Sequence, residues 1–181
     1  IQHGLWNRSA WECERTVQTE QPGTPGIRSL AAHNGRVYSG GPDGTIHVWD
    51  RATWQCVKVL RGHASEVSKV LVWQDKLISA SRDDTIKVWS TGDATPRRCE
   101  HTLEGHTSSV SSMVVCGDKL VSGGNDKSLR VWSTDTWECE RVLEGHHTSI
   151  VMSLLCTADG ESLISGGDDY TMRVWSDKAN T

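Results

Sequence analysis

Tryptophan returns at a near-constant interval along this chain. Trp6, Trp49, Trp89, Trp132 and Trp175 are separated by 43, 40, 43 and 43 residues. Around four of them one phrase recurs. It reads Ser-Gly-Gly-Pro-Asp-Gly-Thr-Ile-His-Val-Trp over 39–49 and Ser-Ala-Ser-Arg-Asp-Asp-Thr-Ile-Lys-Val-Trp over 79–89. It returns as Ser-Gly-Gly-Asn-Asp-Lys-Ser-Leu-Arg-Val-Trp over 122–132 and Ser-Gly-Gly-Asp-Asp-Tyr-Thr-Met-Arg-Val-Trp over 165–175. Gly-His falls at 62–63, 105–106 and 145–146. Cys13, Cys56, Cys99 and Cys139 keep the same period, at separations of 43, 43 and 40. A chain that copies itself at this interval folds as one small unit stacked on its neighbours, because a single unit cannot bury its own apolar face.

Each unit reads as short strands. Thr85 to Trp89 alternates apolar and polar with period two, as do its counterparts in the other repeats. The Ser-Gly-x-x-Asp stretch before it is a tight-turn signal. Val67 to Val72 is a second β-branched run and Cys56 to Leu60 another, while helical periodicity is absent. Four short strands in roughly 42 residues fit a propeller blade.

Composition narrows the function. The formal net charge is -4, which argues against a dedicated nucleic-acid binder. No apolar run approaches the roughly 18 residues of a membrane span, and no charged-then-apolar opening reads as a secretory signal. The first residue is Ile1, and the chain is expected to continue before it. The six cysteines include no C-x-x-C pair. Lying one per blade, they are expected far apart, as small buried hydrophobes in a reducing compartment, with a disulfide or a zinc site the less favoured alternatives. The glycine-rich phrases lack the Lys-Ser/Thr and the following helix of a phosphate cradle, and read as turns. Trp73 stands outside the repeat and is either an exposed contact residue or packed on its own turn.

The aligned Gly-His, turn Asp and Val-Trp resemble the WD-repeat family of β-propellers, over about residues 1–176. Only Trp49-Asp50 keeps the literal Trp-Asp. The resemblance implies a hydrogen-bonded tetrad in each blade: His63, Ser79, Asp83 and Trp89, then His106, Ser122, Asp126 and Trp132, then His146, Ser165, Asp169 and Trp175. The first repeat has Ser39, Asp43 and Trp49, but its His position falls on Gly23. Trp only donates, an ionised Asp only accepts, and Ser and His do both, so the four satisfy one another when buried. Ser, His and Asp are also the residue types of a hydrolytic triad. Three copies at one period and the lack of a Gly-x-Ser-x-Gly elbow make that the less favoured reading.

The resemblance also implies where partners bind: three and five residues after the His, and one before the turn Asp. Those positions are Glu66, Ser68 and Arg82; Ser109, Ser111 and Asn125; Ser149, Val151 and Asp168; and, in the first repeat, Arg28 and Pro42. Their identities change between repeats while the tetrad barely varies, as in a rim tuned to a ligand or in unconstrained surface. Mixed charge at Arg28, Glu66, Arg82 and Asp168 suits a charged or phosphorylated peptide.

The expected fold is an all-β propeller with repeat units at about 8–50, 51–90, 91–133 and 134–176, a leftover strand at 1–7 and a tail at 177–181. It is a closed four-bladed ring, half of a dimeric eight-bladed ring, or a fragment of a larger propeller. Residues 12–19 look like an outer strand for the last blade. The expected function is a non-catalytic scaffold for partner peptides or domains, intracellular and cytoplasmic. The expectation includes no cofactor, no metal, no membrane and no nucleic acid, with a homodimer completing a larger ring as one form. The alternative is the substrate-recognition propeller of a ubiquitin ligase, or the regulatory propeller of a kinase, with the catalytic part outside this chain.

Overall fold

The computed structural model describes residues 12–17, 26–92, 99–160 and 162–176. The described elements are all β. The first blade is β1 (Ser29–His33), β2 (Arg36–Gly40), β3 (Ile46–Asp50) and β4 (Cys56–Leu60). The second is β5 (Val67–Trp73), β6 (Lys76–Ser81), β7 (Ile86–Ser90) and β8 (Cys99–Leu103). The third is β9 (Val110–Cys116), β10 (Lys119–Gly124), β11 (Leu129–Ser133) and β12 (Cys139–Leu143). The fourth has three strands among the described residues: β13 (Val151–Cys156), β14 (Ser162–Gly167) and β15 (Met172–Ser176). Every blade is an antiparallel meander of sequential strands. In the first three, the outer strand slips register at the Val–Trp step that ends the third strand. This is the mark of a β-bulge.

The turn between the second and third strands has one construction throughout. Asp43, Asp83, Asp126 and Asp169 each accept the backbone N–H two residues on. This Asx geometry is what lets the carboxylate replace a strand partner. The residue after each Asp is left-handed: Gly44 in the first blade, Asp84, Lys127 and Tyr170 in the others.

Blades stack face to face through their alternating apolar positions. Tyr38, Ile46, Val48 and Leu60 on the back of the first blade meet Val67, Val70, Leu77 and Trp89 on the front of the second. Ile78, Ile86, Val88 and Leu103 meet Val110, Met113, Leu120 and Trp132 in the same way. Val121 and Leu129 meet Val151 and Leu163. A side-chain knob recurs at these joints. A Cβ added at Gly40 would sit 2.6 Å from Val67 Cγ1, and one at Gly123 would sit 2.6 Å from Val151 Cγ1. Those two glycines are therefore sockets for the neighbouring blade's valine.

Two expectations change here. The cysteines are not all far apart: Cys116 closes β9, Cys156 closes β13, and their Cα atoms lie 5.4 Å apart in a disulfide. The innermost strands of adjacent blades run side by side, so a one-per-blade spacing does not keep their ends apart. Cys13, Cys56, Cys99 and Cys139 are free, and Cys13 and Cys139 are exposed rather than buried. Secondly, residues 12–17 do not pair with β15. Arg15 donates to the Thr53 carbonyl at 3.3 Å, and Arg15, Thr16 and Val17 share a groove with Trp49, Trp54 and Cys56 of the first blade. Trp73 is half-buried against the joint between the second and third blades.

The disulfide closes a separation of 40 residues. Reducing it is expected to cost about 2–4 kcal/mol, chiefly by freeing the unfolded chain. Alkylation of the unfolded, unreduced protein followed by intact-mass analysis should label the four free cysteines and spare Cys116 and Cys156. Six labels would refute the pairing.

Candidate functional site

The tetrads hold the loops that form one rim of the blades. In the second blade the Trp89 indole N–H donates to Ser79 Oγ at 2.9 Å. Ser79 Oγ lies 2.8 Å from His63 Nε2, and His63 Nδ1 lies 2.8 Å from Asp83 Oδ2. An imidazole with its proton on Nδ1 satisfies the whole chain: Trp to Ser, Ser to His, His to Asp. Burial pushes the His63 pKa down and so favours this neutral form, with Asp83 pulling the other way. Burial alone would raise the Asp83 carboxyl, but donors from Thr85, Ala64 and His63 outweigh it and hold the pKa at about 2. The third blade repeats the set, with His106 2.7 Å from Asp126 and 2.8 Å from Ser122, and Trp132 2.8 Å from Ser122. In the first blade Trp49 donates to Ser39 at 2.8 Å, and Asp43 takes both polar groups of Thr45. Gly23 lies outside the described residues.

The fourth blade differs from the sequence expectation. His147, not His146, joins Asp169 at 2.9 Å and Ser165 at 2.8 Å, with Trp175 donating to Ser165 at 2.9 Å. His146 is exposed and stands edge-on to Trp175, ring centres 4.8 Å apart. The link from β12 to β13 carries one residue more than its counterparts, which moves the Gly-His phrase out of step. A second spacing in the sequence marks the right residue. The tetrad His precedes a buried valine by four: His63 and Val67, His106 and Val110, His147 and Val151.

This correction moves the rim. Backbone bonds Arg82 N to Glu66 O, Asn125 N to Ser109 O and Asp168 N to Ile150 O mark equivalent positions. Ile150 and Met152 therefore take the places expected for Ser149 and Val151. Ser149 is half-buried, and Val151 is fully buried as the knob on Gly123. Ser68 and Ser111 are half-buried and donate to the Val110 and Val151 carbonyls of the next blade. Their hydroxyls brace the inner strands. Ser109, Asn125 and Pro42 are half-buried, and Asp168 is exposed.

The remaining rim positions converge. Arg28 Nε lies 3.0 Å from Glu66 Oε2, and Arg82 Nε lies 3.1 Å from Glu66 Oε1. The Glu66 side chain is only 12% exposed, the two arginines 53% and 59%. One carboxylate thus holds two exposed arginine side chains at the joint of the first two blades. These three side chains sum to +1 in a chain of net charge -4.

The arrangement gives little to hydrolytic chemistry. Ser79, Ser122 and Ser165 have no exposed surface, and each oxygen already receives an indole N–H. Among the described residues no three His, Cys, Asp or Glu side chains converge as metal ligands. Among the described residues no helix is long and apolar enough to cross a membrane.

Known proteins share this construction. The protein whose name carries the words "E3 ubiquitin-protein ligase LIN", from Medicago truncatula, is 37% identical over 82 residues, 44% of this chain. The chain spans 6% of that protein's length. The crystal structure of the computationally designed Ika4 protein superposes with a TM-score of 0.78 at 32% identity, over 91% of this chain and 99% of that one. The designed Ika8 protein superposes with a TM-score of 0.74 at 34% identity, over 83% of this chain and 45% of that one. The family described as WD domain, G-beta repeat matches residues 11–50, 54–90, 97–133 and 137–176, and the chain, an all-β propeller assembly of four such repeats, belongs to it.

Proposed function

We propose that the protein is a non-catalytic interaction scaffold, and that it binds acidic segments of partner proteins on the rim formed by Arg28, Glu66 and Arg82. WD-repeat domains generally mediate protein–protein interaction. The observation that carries the finer reading is the pair of exposed guanidinium groups oriented by one shielded carboxylate. Orienting them before binding reduces the ordering cost, and each offers forked donors matched to a carboxylate or phosphate.

Fluorescence anisotropy with a labelled Glu-rich peptide and its phosphoserine counterpart tests this. Arg82→Ala is expected to weaken binding about tenfold, a loss of about 1.4 kcal/mol. Arg28→Ala, Arg82→Ala together should abolish the salt dependence of binding. A Lys-rich peptide binding as well as the acidic ones would sink the reading. A second reading is favoured by the name of the Medicago relative: substrate recognition for a ubiquitin ligase whose catalytic part lies elsewhere. It predicts that the chain makes no ubiquitin conjugates alone and raises conjugation of a bound peptide when a ligase subunit is added.

A further inference from the structure

The inner strands β5, β9 and β13 lie side by side, and at the tetrad end their two joints are built alike. Ser68 donates to the Val110 carbonyl, and Ser111 to that of Val151. At the end away from the tetrads the joints differ, and the strand register shows which positions correspond. Trp73 pairs with Lys76 and Cys116 with Lys119, each the first residue of its second strand. Val115 pairs with Leu120 and Cys156 with Leu163, each the next residue along. The second and third blades therefore meet there through Trp73 and Val115, the third and fourth through Cys116 and Cys156. Trp73 and Val115 both pack against the apolar cluster of their joint. Two cysteines bury far less apolar surface than a tryptophan and a valine, so this end of the later joint depends on the Cys116–Cys156 bond.

The bond is also within reach of solvent. Cys116 and Cys156 are both half-buried. Gly117 and Asp118 after the first are exposed, as are Ala158, Asp159 and Gly160 beyond the second. Cys116 Sγ lies 3.7 Å from the Gly160 carbonyl oxygen in that exposed turn. Cys56, Cys99 and Cys139 are free, but they open the outer strands β4, β8 and β12, at the opposite edge of their sheets from the inner strands. A thiol that opens the bond therefore comes from outside the chain.

We propose that Cys116–Cys156 is a reversible thiol–disulfide latch between the third and fourth blades, and that its reactant is a dithiol reductant. A thiolate of the reductant attacks one sulfur, the S–S bond breaks and a mixed disulfide forms. The reductant's second thiolate then displaces the protein sulfur. The net exchange leaves two protein thiols and an oxidised, cyclic or bridged reductant, with two electrons and two protons passing to the protein. Reduction releases one end of β13 from β9. The tetrad end stays joined, because the Ser111 bond and the seat of Val151 on Gly123 involve no sulfur. The fourth blade then loosens from the end away from the tetrads, with its rim end as the pivot. This inference goes beyond the acidic-peptide reading and does not depend on it.

Hydrogen exchange on the native protein, with and without dithiothreitol, reads the outcome. Without denaturant, dithiothreitol should open Cys116 and Cys156 to alkylation, located by peptide mass. Amides around Leu155 and Ile164 should then accelerate about tenfold more than those of β6 in the second blade, and reoxidation should restore them. Cys116→Ser should show the fast pattern with or without dithiothreitol. Cys116→Trp with Cys156→Val copies the pair of the earlier joint and should stay slow in both conditions. Wild-type reduction decides the matter if a variant fails to fold. A bond that dithiothreitol does not reach in the native protein overturns the proposal. So does exchange that is unchanged on reduction, or that rises equally in all four blades, as a cross-link acting only on the unfolded chain requires.

Discussion

Trp132→Ala is expected to lower stability by about 4 kcal/mol or more, among the largest effects of any single substitution in this chain. The indole is 2% exposed and lies in the joint between the second and third blades, against residues of both. Truncation removes its ring from that joint, leaves a cavity the rigid sheets cannot close, and strips Ser122 Oγ of its indole donor. Trp132→Phe separates the two contributions. It keeps most of the ring and loses the N–H, so about 1–2 kcal/mol is expected. Urea titrations report both, and the midpoint should move while the slope stays fixed. If Phe costs as much as Ala, the tetrad bond rather than packing dominates. Trp175→Ala should cost less, because Trp175 is only half-buried, in a blade with three strands among the described residues.

Much of this was legible in the sequence for a physical reason. A repeat forces the same side chain into the same environment several times, so Trp89, Trp132 and Trp175 declare their role by recurrence. The places where reading failed are the places where the repeat is broken. The added residue before His147 shifted the Gly-His phrase, and the tetrad followed the valine spacing rather than the phrase. Val151 looked like a rim residue only because it was counted from His146. The Cys116–Cys156 bond joins non-equivalent positions of two blades, one beside Lys119 and one beside Leu163, so no periodic argument finds it. Ser68 and Ser111 are alike for a structural cause: each hydroxyl braces a neighbouring inner strand. The Arg28–Glu66–Arg82 cluster was present as three letters, but its convergence depends on how adjacent blades meet. Variation alone did not distinguish a contact surface from a brace.

Asp126 carries the other large expected effect, and its sign is set by charge. Its Oδ2 meets His106 at 2.7 Å and the Thr107 N–H at 3.0 Å, and its Oδ1 takes the Ser128 N–H and hydroxyl. Burial works to raise its pKa, but these donors, His106 foremost, hold it well below the ordinary carboxylate value of 3.8. Asp126→Ala leaves the donors in and around a nearly closed site without an acceptor, and is expected to cost about 3 kcal/mol. The same bonds set the acid response. A carboxylate held below its unfolded pKa stabilises the fold above that pKa, and the benefit is lost as pH falls. Asp83, at about 2 against 3.8, loses its share between those values. His63 acts in the same direction higher up. Its pKa is lowered below 6.5, so the unfolded chain takes the proton first and stability begins to fall as pH drops below 6.5. Wild-type urea midpoints should therefore decline in two limbs, one from the imidazole and a steeper one from the carboxylates. Asp126→Asn keeps the shape and removes one titrating group. It should flatten the lower limb. A lower limb parallel to wild type would mean that the third-blade carboxylate carries none of the acid sensitivity, and that the tetrad holds the rim through neutral hydrogen bonds.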